Sequence, residues 1–246
     1  MTTQADRFAD LLRSADAAWA VGDAHGTRDA GAVGPIRQDS PLDVTGLAAV
    51  LVLWPVVGRL VAEGELRLHT PLSAYWDRHH PAGGTTAHQL LTHTAAVDRP
   101  ADLLCALAEH LSGEPLATSV ARHVWGPLGM NRTGLVEAAD GSGPVLRSTL
   151  DDLGRFLHHL CEPADTPVAR SWIADSLRIR TGELVPARGL LWHPAPHVDP
   201  RSGLWCHGDP AAGSTLWLAP REGRWAVLLT RTPGLREAFR TLAFQS

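Results

Sequence analysis

The segment Cys206-His207-Gly208-Asp209 carries two side chains that could move protons. A histidine with a pKa of about 6.5 can act as a general acid or base at neutral pH. Asp209 follows two residues later, and residues i and i+2 of an extended strand share a face, so it could orient the imidazole or act by itself. We therefore take His207 and Asp209 as candidate catalytic residues. The alternatives are that His207 is a structural remnant and that Asp209 is a solvated loop carboxylate.

The numbers of lysine and tyrosine residues further limit the reactions that the chain could catalyse. All 22 basic residues are arginine, and Tyr75 is the single tyrosine. Arginine stays protonated in proteins, so it cannot replace lysine as a proton acceptor or a Schiff-base amine. Every mechanism that needs a lysine amine is excluded.

The remaining histidines and the cysteines do not suggest a metal centre. His88 and His93 are five residues apart and do not share a helical face, and His193 and His197 lie in a proline-rich stretch without neighbouring cysteine or carboxylate ligands. Adjacent pairs occur at His79-His80 and His158-His159, where consecutive side chains point different ways. The cysteines, Cys105, Cys161 and Cys206, form no C-x-x-C pair and are expected to be reduced and mostly buried. We predict no metal and no cofactor.

Charge and hydropathy limit which partners and which cellular compartment are plausible. The formal charge of −4 is spread along 246 residues without basic blocks, which argues against a nucleic-acid partner. The N-terminal segment is charged throughout and lacks the apolar core of a secretory signal. The uncharged run 44–58 is shorter than the roughly 20 residues that cross a bilayer. We expect a cytoplasmic protein without a membrane segment; the sequence leaves its oligomeric state open.

Turn and capping signals predict the elements that position these residues. Residues 18–34 read as a hairpin around Gly-Asp-Ala-His-Gly, and residues 43–64 as a buried helix with Asp43 or Thr45 as N-cap and Gly64 as its stop. Helical patterns also cover 86–94, 101–123 and 149–160, the last with Thr149 as N-cap and Asp152 at the capping-box position. Strand-like runs follow in GLLWH, GLWCH, STLWLAP and RWAVLLTR, and LREAFRTLAF closes the chain as a helix.

Five segments, in order along the chain, resemble the serine β-lactamase-related family, in its class C β-lactamase, penicillin-binding-protein and esterase branch. Residues 43–72 are similar to the helix that bears the family's S-x-x-K nucleophile motif. L90-L-T-H-T94, G126-P-L-G-M-N-R-T133 and S148-T-L-D-D-L-G-R-F156 are similar to three further family segments, and G203-L-W-C-H-G-D-P-A-A-G-S-T-L-W217 to the strand with the K/H-T-G motif.

The resemblance implies an α/β (α+β) fold of β-lactamase/transpeptidase type, an antiparallel sheet flanked by helices with a small helical subdomain. We expect the sheet lobe to comprise residues 1–68 and 140–246, and the reduced helical subdomain residues 69–139. A ligand cleft is expected between the sheet and the helical subdomain.

The departures from the family motifs bear on function. Gly46 matches the nucleophilic serine and Ala49 the lysine, and the Y-x-N tyrosine falls near Ala96, with Val97 and Asp98 after it. Neither glycine nor alanine can attack a carbonyl or accept a proton, and an unactivated hydroxyl is a poor nucleophile. We predict that the chain is not a functional serine β-lactamase, DD-peptidase or serine esterase.

His207 keeps a titratable side chain at the third motif. We expect substrate contacts from residues around the ancestral cleft: Gly46, Asp98, Trp205, Gly213 and Ser214. Trp192, Trp205 and Trp217 could form an aromatic wall around an apolar ligand or simply pack in the core. Two functions stay open, a small-molecule-processing enzyme that uses non-covalent acid/base chemistry, which we favour, and a catalytically inactive protein that binds a ligand or acts as a scaffold.

Overall fold

The computed structural model describes residues 4–76, 84–138, 141, 143–199, 202–209 and 213–245. The chain forms two compact units: unit 1 comprises Met1–Ala48, Trp125–Glu162 and Ala195–Ser246, and unit 2 comprises Ala49–Val124 and Pro163–Pro194. These bounds differ from the expected ones, because residues 49–68 and 163–194 belong to the helical unit 2 and residues 125–139 to unit 1. His79 and His80 lie outside the described residues.

The strands in chain order are β1 (Ala17–Asp23), β2 (Gly26–Val33), β3 (Leu42–Asp43), β4 (Gly134–Glu137), β5 (Pro144–Ser148), β6 (His193–Pro194), β7 (Trp205–Asp209), β8 (Ser214–Ala219) and β9 (Arg224–Thr230). The helices are α1 (Gln4–Leu12), α2 (Trp54–Ala62), α3 (Ala87–Leu91), α4 (Pro100–Ser112), α5 (Leu116–Val120), α6 (Gly126–Leu128), α7 (Leu150–Cys161), α8 (Arg170–Ser176) and α9 (Leu235–Phe244).

Unit 1 is built on an antiparallel sheet in which its strands follow the order β2-β1-β9-β8-β7. The predicted hairpin is confirmed as β1 and β2, and the predicted strands GLWCH, STLWLAP and RWAVLLTR are confirmed as β7, β8 and β9. Apolar residues on both faces of the central strands β1, β8 and β9 are buried, so this sheet is covered on both sides.

One face of this sheet packs against the two terminal helices. Phe8 of α1 lies 5.0 Å from Phe239 of α9, and Trp217 of β8 lies 5.9 Å from the same ring, measured between ring centroids. Cys206 belongs to this cluster. The helix α9 was predicted; α1 was not, because its nine residues carry only two buried apolar side chains, Phe8 and Leu12.

The helix α7 lies on the opposite face, as Gly154 shows by its close approach to Trp225 of β9. Thr149 caps α7 as predicted, since its hydroxyl accepts the Asp152 N–H at 3.2 Å. The Asp152 carboxylate makes different bonds from those of a capping box: it accepts the Arg132 N–H and the Thr133 hydroxyl, each at 2.8 Å. Asp152 therefore ties the start of α7 to the loop before β4.

A second, three-stranded sheet in the order β3-β5-β4 was not predicted. This sheet anchors the chain just before Gly46, the residue that matches the family's nucleophilic serine. Val44 donates to the Leu146 carbonyl at 2.8 Å, and the Thr45 hydroxyl accepts the Leu146 N–H at 3.1 Å. Asp43 accepts the Thr45 N–H at 3.0 Å, a bond typical of a turn, but the N-cap of the 3₁₀ turn is Val44, so the predicted N-cap, Asp43 or Thr45, is wrong.

The predicted buried helix over 43–64 is present but irregular. A 3₁₀ turn over Thr45–Leu47 leads into a π-helical stretch, Ala49–Leu53, before α2 begins. Pro55 gives a physical reason, because a proline cannot donate to the carbonyl four residues earlier and its ring crowds that carbonyl. Gly64, with φ +80°, terminates the helix as predicted.

Unit 2 has a tryptophan-rich core. The Trp54 indole donates to the Ser176 hydroxyl at 2.8 Å, and the Trp172 indole donates to the Trp54 carbonyl at 3.1 Å. The Trp172 ring sits so close to Gly58 that a Cβ there would lie 2.3 Å from it. Glycine at position 58 therefore lets α2 and α8 pack together.

Of two helices predicted in unit 2, one is confirmed and the other is divided into two. Thr86 and Gln89 form a complete capping box at the start of α3, which confirms the capped helix there. The helical pattern over 101–123 is divided at Gly113, φ +68°, so that α4 and α5 are separate helices.

The strand predicted for GLLWH is wrong. Leu191 has φ +62°, outside the strand region, and Gly189 donates to the Trp192 carbonyl across a turn. Only His193 of this run is in a strand, the two-residue β6. None of the described helices has the length and apolar character needed to span a membrane.

Candidate functional site in unit 1

The β7–β8 ladder settles the relation between the two candidate catalytic residues. The register is regular over its whole length, with His207 opposite Leu216 and Asp209 opposite Ser214. His207 and Asp209 therefore project to the same face, despite the glycine between them. Cys206 and Trp217 project to the other face, toward α1 and α9.

Two glycines hold this ladder in place. A Cβ at Gly208 would lie 2.5 Å from the Ser214 carbonyl oxygen and 2.8 Å from the Thr215 Cα, both backbone atoms. Gly213, with φ +78°, accepts the Thr230 N–H at 2.6 Å and donates to the Asp209 carbonyl at 3.0 Å. Gly213 is thus a backbone element of the turn that enters β8, rather than a side-chain contact.

Ser214 adds a polar group to the face that carries His207 and Asp209. It is directly opposite Asp209 and 1% exposed. Its hydroxyl has no hydrogen-bond partner among the residues that the structure describes. A buried hydroxyl without a partner costs free energy, so it is a group that a bound polar atom would satisfy.

The turn that holds Gly46 packs against these same two strands. Thr45–Leu47 contacts β7 and β8, and Leu47 is fully buried outside the cluster formed with α1 and α9. Gly46 itself is half-buried. The structure thus brings Gly46 and the His207 strand together within unit 1.

Arg236 at the start of α9 contacts Asp209, which nothing in the sequence predicts. Its guanidinium donates to the Asp209 carbonyl at 2.9 Å. Burial lowers the pKa of Arg236, and the negative charge of Asp209 partly offsets this effect. No local signal links residues 27 positions apart, so this contact could be found only from the fold.

The tryptophans do not form one aromatic wall. Trp205 is buried on the His207 face, whereas Trp217 faces the opposite side and packs on Phe239. Trp192 belongs to unit 2, where it packs edge-on against Trp54 at 6.1 Å between centroids. The core-packing alternative is therefore correct for Trp192 and Trp217.

Ala49, which matches the family lysine, and Asp98, near the Y-x-N position, lie in unit 2 together with the single tyrosine, Tyr75. Ala49 begins the π-helical stretch, and Asp98 is exposed in the segment between α3 and α4. The Tyr75 hydroxyl accepts the Arg67 N–H at 2.8 Å and faces the Arg67 carbonyl at 3.4 Å. Tyr75 therefore holds the loop after α2 instead of serving a catalytic site.

A cavity of about 530 Å³ opens in unit 1 at the start of α7. Arg132, Asp39 and Asp151 contribute its charged groups. None of the candidate catalytic or substrate-binding residues lines it. Across the described ranges, no three histidine, cysteine, aspartate or glutamate side chains are grouped to hold a metal ion.

An antiparallel sheet between a terminal helix pair and an inner helix, with a helical unit inserted, defines a protein of the β-lactamase/transpeptidase fold. The Beta-lactamase family model matches residues 16–245, and the chain belongs to that family. The expected fold class is confirmed.

Solved structures show the same fold at low sequence identity. A β-lactamase from Mycobacterium bovis aligns with a TM-score of 0.71 at 21% identity, over 94% of this chain and 96% of that one. A class C β-lactamase from Rhodobacter sphaeroides aligns with a TM-score of 0.73 at 15% identity, over 98% and 96%. The octameric penicillin-binding protein homologue from Pyrococcus abyssi gives a TM-score of 0.77 at 15% identity, over 97% and 76%. No curated protein matches the chain.

Proposed function

We propose that this β-lactamase-family chain binds a small molecule at the sheet face carrying His207, Asp209 and Ser214, and promotes a proton-transfer reaction there without a covalent acyl-enzyme. The reaction would be a hydrolysis, cyclisation, elimination or isomerisation in which His207 serves as general acid or base. We further propose that it acts in the cytoplasm on a metabolite-sized substrate.

The observation that carries this proposal is the register of β7 and β8. It places the His207 imidazole, the Asp209 carboxylate and the Ser214 hydroxyl, which has no partner within the described part of the chain, on one sheet face, with Ser214 directly opposite Asp209. Gly208 and Gly213 fix the backbone that holds them. Groups held rigidly in this way can orient a substrate, and orientation contributes substantially to a rate.

The absence of an acyl-enzyme step follows from the residues at the motif positions that the sequence resemblance assigns. Gly46 and Ala49 have no nucleophile and no base, and the sequence contains no lysine. The single tyrosine hydroxyl is engaged with the Arg67 backbone. With no activated serine, the proton-transfer chemistry falls to His207.

The alternative is a protein that binds a ligand on this face without converting it. The burial of His207, which is 8% exposed, favours this alternative because a buried imidazole is poorly accessible to a substrate. Binding with unchanged ligand is the outcome that distinguishes it.

The test begins with a thermal-shift screen of a metabolite library, followed by mass-spectrometric analysis of each stabilising compound after incubation. Removing a general acid or base costs about 10²–10⁴ in rate. His207→Gln is therefore expected to slow conversion by at least the lower end of that range. Glutamine is preferred to alanine because His207 is buried and truncation would also remove packing.

His25→Gln is the matched control, since His25 is exposed in the turn between β1 and β2 of the same unit. It should convert the substrate at the wild-type rate. Wild-type turnover in a folded His207→Gln variant would refute the assigned role. Stabilising compounds that are never converted would establish the binding-only alternative.

A further inference from the structure

Two arginines of unit 2 each accompany a pair of histidine rings. Arg180 lies close enough to His88 to affect its pKa, and the rings of His88 and His69 are 4.6 Å apart. Arg188 accompanies His93 and His193, whose rings are 6.1 Å apart. The Arg180 N–H donates to the Arg188 carbonyl at 2.7 Å, so the two arginines share one loop.

The charge of Arg180 is compensated within the chain. Its guanidinium lies 2.6 Å from the Asp175 carboxylate and also donates to the Asp175 carbonyl at 2.9 Å. By contrast, no carboxylate of the described residues lies within ion-pairing distance of Arg188. Arg180 is thus ion-paired with a carboxylate of the chain and Arg188 is not. An arginine without such a partner is better able to bind an external anion.

The contact between Arg188 and His193 is made by a single guanidinium nitrogen. Its Nη1 is 3.4 Å from Nδ1 and 3.5 Å from Nε2 of His193. An approach in the ring plane at these nearly equal distances would collide with Cε1, which lies between the two nitrogens. Nη1 thus lies over the imidazole face, and this contact engages only one of the three guanidinium nitrogens.

Backbone hydrogen bonds hold the three side chains in position. Arg188 donates to the Thr181 hydroxyl at 3.1 Å, and Leu191 donates to the Leu91 carbonyl at 2.9 Å, which joins the His93 segment to the His193 segment. His93 itself has φ +54°, a conformation rare outside glycine. Partial burial, followed by the charge of Arg188, lowers the pKa of His93.

We propose that Arg188, His93 and His193 form a binding site for an oxyanion, a carboxylate or phosphate group of a small molecule. Arg188 would donate two N–H bonds to the anion from Nε and Nη2, and the His93 imidazole would donate a third, with His193 positioning the guanidinium through Nη1. Guanidinium groups bind such planar or tetrahedral oxyanions by paired donors. This site lies within unit 2. Its existence does not depend on the role proposed for His207.

The test follows the histidine Cε1–H resonances of the intact protein by NMR during titration with sodium sulfate and, separately, sodium acetate. Sulfate represents a phosphate group at constant charge across the pH range, and acetate represents a carboxylate. Sodium chloride at matched ionic strength controls for screening. The resonances are assigned with His93→Gln and His193→Gln.

We expect saturable shifts of both resonances with at least one of the two anions. The bound anion should also raise the pKa of His93, which faces Arg188 and His193, because a nearby negative charge favours the imidazolium. Arg188→Gln should weaken binding by at least tenfold, the loss of one charge-assisted contact. Arg178→Gln, an exposed arginine of the same unit, changes the net charge equally and should leave binding unchanged.

Two results would overturn the proposal. One is a linear response to both anions that matches chloride. The other is equal weakening in the Arg188→Gln and Arg178→Gln variants, which would show nonspecific attraction. A thermal melt of each variant confirms folding, and His193→Gln provides a second perturbation that leaves Arg188 in place. Sulfate binding without acetate binding, or the reverse, supports the site and identifies the anion class.

Discussion

Gly208→Ala tests the ladder that aligns the candidate catalytic residues. The added Cβ would lie 2.5 Å from the Ser214 carbonyl oxygen and 2.8 Å from the Thr215 Cα, so backbone must move to admit it. Overpacking of this kind costs about 1–3 kcal/mol. For a chain of this size each kcal/mol lowers Tm by about 2–4 °C. We therefore expect a fall in Tm of roughly 2–12 °C, measured by circular dichroism.

Gly134→Ala is the matched control. Gly134 also lies in a strand of unit 1, and a Cβ built there meets no heavy atom within 4 Å. Its substitution should be neutral or should stabilise by up to about 1 kcal/mol, because alanine reduces the freedom of the unfolded chain. Equal Tm values for the two variants, or a Gly208→Ala variant as stable as wild type, would refute the β7–β8 register described above.

Further predictions concern buried groups of both units. Ser176→Ala should destabilise by about 1–3 kcal/mol in urea unfolding, because it leaves the buried Trp54 indole N–H without its 2.8 Å acceptor. The exposed Ser171 of the same helix, changed to alanine, should have little effect. Burial raises the thiol pKa of Cys206 to about 11 and that of Cys161 to about 12, so both stay protonated at neutral pH. Iodoacetamide should alkylate them slowly in the native protein and rapidly in urea; fast native alkylation would contradict their burial.

The elements that sequence predicted are those whose signals are local. The β1–β2 hairpin, the strands β7 to β9 and the capped helices α3 and α7 each follow from alternation or from a capping residue. The helix α1 and the sheet β3-β5-β4 were missed because they depend on distant partners, as in the packing of Phe8 on Phe239. GLLWH looks like a strand in composition, but the left-handed Leu191 makes it a turn.

In the candidate site, too, local features could be predicted from the sequence and contacts between distant residues could not. The i, i+2 spacing of His207 and Asp209 predicts that they share a face if the segment is a strand. The observed β7–β8 register confirms this. Arg236 beside Asp209 and the meeting of His93 with His193 were not foreseeable, because each joins residues far apart in the chain. In the sequence, His93 and His193 are isolated histidines that offer no metal-ligand spacing, and only the fold brings Arg188 and both rings together.

The proposed reaction of this β-lactamase-family chain forms no acyl-enzyme, and intact-protein mass spectrometry detects such an adduct if one forms. The protein is incubated with benzylpenicillin and, separately, with a fluorophosphonate probe, with a catalytically active serine β-lactamase as the positive control. We expect an unchanged mass in both incubations, because the positions that the sequence resemblance assigns to the serine and the lysine hold Gly46 and Ala49, which supply neither nucleophile nor base. A stoichiometric mass increase that peptide mapping assigns to a serine would contradict it.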